Sequence, residues 1–177
     1  LSPGVKPHEE SEYYASRVSA LSMTPNADYD AGTLILDVRP SAVGYKTLVY
    51  NRTPERAKSL VEQGAIMAET VAQLAAEANI IITMVGYPRD VEEVYLGEAG
   101  ILIHAKPGTY VIDMTTSSPL LAKKIYTAAK EKKIHALDAP VSGGDIGARN
   151  AKLAIMVGGE ATDFEAMKPV FEIMGEN

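Results

Sequence analysis

From position 46 onward, short apolar runs alternate with longer stretches in which apolar residues recur at helical spacing. Runs at 46–50, 79–85, 109–113 and 134–138 have the length of single strands. The run at 79–85 is apolar almost throughout, as in a parallel strand covered on both faces. Shorter strand candidates fall at 65–67 and 151–157. Helices are expected at 53–63, 70–78, 88–95, 119–132 and 161–174. Their ends carry matching chemistry: Thr53 is placed to cap the first helix, Pro54 suits its first position and Gly64 its stop. Gly97 and Gly100 close the third helix, and Ser118 is placed to cap the fourth. This alternation predicts an α/β fold: a mostly parallel sheet with helices on both faces, with room for an antiparallel edge.

Residues 1–43 break the pattern. A helix is expected over 9–23, with Tyr14, Val18 and Leu21 on one face, followed by a loop rich in Asn, Asp and Gly. A short strand candidate at 33–38 is stopped by Arg39-Pro40. Seven residues, 39–45, link it to the next strand, whereas a parallel crossover needs roughly a dozen or more. If these two strands pair directly, they must do so antiparallel, and the first strand-helix unit is atypical. No internal repeat interrupts the remainder.

Charge and composition narrow the function. Seventeen basic against 23 acidic residues give a net charge of −6, which disfavours general nucleic-acid binding. The absence of cysteine removes disulfides, thiol nucleophiles and zinc-thiolate sites. No apolar run approaches the roughly 20 residues of a membrane span and no leader is visible, so a cytoplasmic, soluble protein is expected. A chain opening on Leu1 reads as an excerpt or a processed product. His8, His104 and His135 share no local motif and read as incidental surface residues, and no metal site is expected. Cations at 130–133 suit a helix end, and the seven methionines read as core filler.

Candidate chemistry gathers where strands end. After the strand at 134–138, Pro140 cannot donate to a ladder, and Ser142-Gly143-Gly144 offers a hydroxyl and two residues without side chains. Such a turn can present successive backbone N–H groups to a carboxylate. Asn51-Arg52-Thr53 follows the strand at 46–50, at the sheet edge where α/β folds bind ligands. An acidic residue there would hold the ribose 2′-hydroxyl of NAD; an Asn with Arg and Thr removes that carboxylate and offers a guanidinium and a hydroxyl to a 2′-phosphate. Met84-Val85-Gly86 and Asp113-Met114-Thr115-Thr116 end the next two strands.

Taken together, D-A-P-V-S-G-G at 138–144, L-A-I-M-V-G-G at 153–159 and N-R-T at 51–53 resemble the β-hydroxyacid dehydrogenases. These include 3-hydroxyisobutyrate dehydrogenases, tartronate semialdehyde reductases and relatives of 6-phosphogluconate dehydrogenase. The resemblance covers about 44–177 and implies a Rossmann-type NADP-binding domain there, with 1–43 as an atypical segment. It implies hydride transfer between NADP(H), with NAD the less expected cofactor, and a 3-hydroxy acid or its semialdehyde. Asn51, Arg52, Thr53, Val85, Gly86 and Thr116 would face the cofactor, and Ser142, Gly143 and Gly144 the substrate carboxylate. A homo-oligomer is also consistent with it.

Two parts of the family pattern are missing. No G-x-G-x-x-G occurs anywhere in the chain, although the family receives the pyrophosphate on such a turn. The family also continues into a helical domain carrying its catalytic lysine, and no lysine here matches that position, so no catalytic residue is assigned. The alternative expectation is a truncated, non-catalytic remnant that binds nucleotide weakly or acts as an interaction module.

Overall fold

The computed structural model describes residues 34–39 and 46–176. The helix expected over 9–23 lies outside them. Six strands form one sheet: β1 (Leu34–Arg39), β2 (Lys46–Tyr50), β3 (Ile66–Met67), β4 (Ile80–Met84), β5 (Tyr110–Asp113) and β6 (His135–Asp138). Their order is β3-β2-β1-β4-β5-β6, the strand order of a Rossmann fold. β2 and β3 are parallel, as are β4, β5 and β6. β1 runs antiparallel to both of its neighbours, β2 and β4.

The direction of β1 follows from its link. Arg39 pairs with Lys46, and the six positions between them are too few for a parallel crossover. Paired on both sides, with β2 and β4, the antiparallel strand is interior rather than at an edge. A further antiparallel bridge, Asp138 to Gly158, lies beyond β6.

Successive residues of a strand point to opposite faces, and both faces are covered. Ile81 and Val111 join Leu74, Val91, Tyr95, Ile101 and Ile125 on one side. Ile82 and Ile112 join Leu60, Leu137, Met167 and Phe171 on the other. Two-sided burial is why the 79–85 run lacks the polar alternation of a half-exposed strand.

The helices fall close to expectation, with local corrections. The first is a 3-10 turn, Pro54–Ala57, leading into α1 (Lys58–Glu62). Next come α2 (Val71–Glu77), α3 (Pro88–Leu96) and the unforeseen short α4 (Ile101–His104). α5 spans Pro119–Glu131, and α7 spans Ala161–Met174. Thr53 and Ser118 stand at N-cap positions, but neither side chain makes the capping bond. Thr70 does, accepting the Gln73 N–H at 3.0 Å.

Past β6 the chain departs further from the sequence pattern. Pro140 ends β6, yet Val141–Ser142 form a new strand, β7, antiparallel to β8 (Ala154–Ile155). α6 (Gly144–Arg149) fills the space between them. The strand expected over 151–157 is thus only two residues long. His135 is not incidental: its Nδ1 lies 2.8 Å from Asp163 Oδ1, and its ring stacks on Tyr110 with centroids 4.4 Å apart.

Candidate functional site

One row of register partners crosses the sheet: Tyr50, Ile35, Thr83, Asp113 and Asp138. The loops after β2, β4, β5 and β6 therefore leave from the same edge, the carboxyl edge of the parallel strands. Each motif singled out in the sequence lies on one of these loops or just beyond it. β1 reaches this edge with Leu34, its first residue.

At β2, Asn51 is buried and its Oδ1 accepts the Thr53 N–H at 2.8 Å. This Asx turn bends the chain into the 3-10 segment. Asn51 thereby has a structural role beside the one expected of it. Arg52 is exposed and Thr53 half-buried, and the Thr53 hydroxyl is not committed to capping.

The loops after β4 and β5 are tied together. Asp113 Oδ1 accepts the Thr115 N–H at 3.1 Å and the Thr83 hydroxyl at 2.9 Å. The turn made by Asp113 aims Thr115 Oγ1 at the Val85 N–H, 2.9 Å away. Val85 is buried, Gly86 half-buried and Thr116 exposed. The Ser117 Oγ is buried with no partner among the described residues.

Burial shifts three titrating groups near this edge. Burial pushes the Asp113 carboxyl up from its ordinary range, against the hydrogen bonds from Thr115 and Thr83 that favour its charge. Burial also raises Asp138. Tyr95, fully enclosed, is pushed well above the usual phenol range by burial and then by the Asp113 charge. This Thr83, Tyr95, Asp113, Thr115 network was missed in the sequence. Polar residues inside the apolar strand pattern, such as Thr83, were the available signal.

Beyond β7, Gly143 (φ 130°) and Gly144 (φ 60°) both take left-handed backbone, which a side chain disfavours. A Cβ on Gly143 would lie 3.3 Å from Leu153 Cδ2. Ser142, Gly143 and Gly144 are all exposed. A cleft of about 440 Å³ opens beside Asp138, Lys123, Tyr126 and Glu160, and none of the sequence-assigned site residues lines it. Among the described residues, no group of three His, Asp or Glu is arranged to hold a metal. No helix there is long and apolar enough to cross a membrane.

A dinucleotide at this edge meets an incomplete cradle. Exposed Arg52 and uncommitted Thr53 fit a 2′-phosphate. The strand-turn-helix unit that receives the pyrophosphate does not fit. The carboxyl end of β1, Arg39, pairs with the first residue of β2 at the opposite edge of the sheet.

Residues 36–177 match the family model for the NAD-binding domain of 6-phosphogluconate dehydrogenase. An uncharacterised oxidoreductase of Bacillus subtilis, YkwC, is 64% identical over 134 residues, covering 76% of this chain and 46% of that protein. An NAD-dependent L-serine dehydrogenase of Pseudomonas aeruginosa is 40% identical over 134 residues, 76% of this chain and 45% of its own length. Among solved structures, Mycobacterium tuberculosis 3-hydroxyisobutyrate dehydrogenase with L-serine superposes with a TM-score of 0.71 at 26% identity, over 93% of this chain and 49% of that one. The chain spans about half the length of the curated relatives it matches.

Proposed function

The chain belongs to the family of the NAD-binding domain of 6-phosphogluconate dehydrogenase, and on that premise we propose that residues 44–177 are the NADP-binding domain of a 3-hydroxyisobutyrate dehydrogenase-like oxidoreductase. The whole protein would pass a hydride between NADP(H) and a 3-hydroxy acid or its semialdehyde. The observation that carries this reading is the single register row that brings the 51–53, 85–86 and 113–116 loops to one edge. Arg52 and Thr53 hold the 2′-phosphate through charge-assisted hydrogen bonds, with the Asn51 side chain fixing their turn. Val85, Gly86 and Thr116 face the rest of the cofactor. Ser142, Gly143 and Gly144, exposed beyond β7 with both glycines in left-handed backbone, hold the substrate carboxylate. When bound, the nicotinamide supplies or accepts the hydride.

Titration calorimetry with NADPH and NADH tests the cofactor assignment. NADPH is expected to bind at least tenfold more tightly; equal binding of the two overturns the choice of NADP.

The reversed β1 favours a second reading, in which this chain is a weak nucleotide-binding module without turnover. Supplying the purified chain with the helical domain of a matching relative, 3-hydroxyisobutyrate and NADP separates the two, because appearance of NADPH absorbance belongs to the first alone.

A further inference from the structure

We infer that this chain holds a nucleotide by its adenosine 2′-phosphate end alone, so that adenosine 2′,5′-bisphosphate and NADP bind it about equally. The inference rests on the assignment of Arg52 and Thr53 to the 2′-phosphate.

The first ground is the direction of β1. In a Rossmann sheet the pyrophosphate lies at the crevice where strand order reverses, on the N-terminus of the helix that follows the first strand. The order here reverses between β1 and β4, so the crevice is in the expected place. What reaches it is the beginning of β1, with Leu34 opposite Met84. At the far edge Arg39 pairs with Lys46, so the element that follows β1 within six residues is the antiparallel strand β2, not a helix packed back across the sheet to this crevice.

Neighbouring helices do not replace the lost one. α3 starts at the same edge after β4, but Pro88 at its first position lacks an N–H. The Asp90 carboxylate in its first turn already takes the Tyr87 N–H at 3.1 Å. That carboxylate repels a diphosphate at the point where the helix dipole would attract it. Arg89 leans on Asp90 instead, its Nε 3.8 Å from Asp90 Oδ1. α5 also begins with a proline, Pro119. Asp113 and Asp138, side by side in register, add further negative charge.

Distance isolates the surviving contact. β2 and β4 are separated by β1, and adjacent strands lie about 4.8 Å apart, so the Arg52 loop and the Val85 loop are about 10 Å apart. A dinucleotide must bridge that interval and then meet the Asp90 carboxylate at the start of α3. Its nicotinamide half therefore adds little to the affinity set at Arg52 and Thr53.

Calorimetry on the full chain, with adenosine 2′,5′-bisphosphate, NADP and ADP as separate titrants, tests this. The expected result is a dissociation constant for the bisphosphate within tenfold of that for NADP, and ADP at least tenfold weaker than the bisphosphate. NADP more than tenfold tighter than the bisphosphate overturns the inference while leaving the cofactor assignment standing. ADP equal to the bisphosphate overturns both, as does no binding by any of the three.

Discussion

The Thr83 hydroxyl lies 2.9 Å from Asp113 Oδ1, deep between β4 and β5, and 2.8 Å from the Tyr95 hydroxyl. A carboxylate only accepts, so Thr83 donates to Asp113 and Tyr95 donates to Thr83. The chain of donors runs from helix α3 through the sheet to the turn that orients Thr115. A buried polar relay of this kind is costly to break at its middle.

Replacing Thr83 with valine keeps the shape but strands the Tyr95 hydroxyl and removes one donor from Asp113. A loss of about 2–4 kcal/mol is expected in urea unfolding. Tyr95→Phe removes only the outer donor and should cost about 1 kcal/mol. Equal effects of the two would show that Thr83 is not the centre of the relay.

The same relay sets a pH dependence. Burial raises the folded pKa of Asp113 above its ordinary 3.8, so between the two values the folded state binds more protons than the unfolded. The contribution of this carboxyl is therefore greatest at and below the unfolded pKa. It falls as pH climbs to the folded pKa and is level beyond. Asp113→Asn removes that fall, so urea midpoints measured from acid to neutral pH should shift in favour of the variant as pH rises. Parallel profiles would contradict it.

Gly159 marks a close approach between the 158–160 turn and β6. It takes φ 151°, and a Cβ there would sit 2.5 Å from Leu137 Cδ2 and 3.2 Å from the Ala136 carbonyl oxygen. Gly159→Ala should cost about 1–3 kcal/mol by overpacking. A thermal melt unchanged from the parent would show that the turn is free to move away from β6.

Arg52 is the charge assigned to the 2′-phosphate. Arg52→Ala should weaken NADPH about tenfold or more, leave NADH within about twofold, and keep the unfolding midpoint near that of the parent, since the side chain is exposed. Equal weakening of both cofactors would move the 2′-phosphate elsewhere.

Much of this protein was determined by local sequence. Apolar runs and helical spacing located the strands from 46 to 138 and the helices through Met174, because covering both faces of a sheet leaves a continuous apolar signature. The seven-residue link at 39–45 even required antiparallel pairing if β1 met β2, since the chain is too short to cross a face. The interior position of β1, between β2 and β4, was decided only by the tertiary structure. Strand neighbours far apart in sequence are chosen by pairing and packing, and no local pattern records that choice. The same holds for the site. N-R-T and S-G-G were visible as motifs, but Asn51 as the hinge of its turn, and the relay from Tyr95 through Thr83 to Asp113, depend on bonds between side chains and backbone that exist only once the chain is folded.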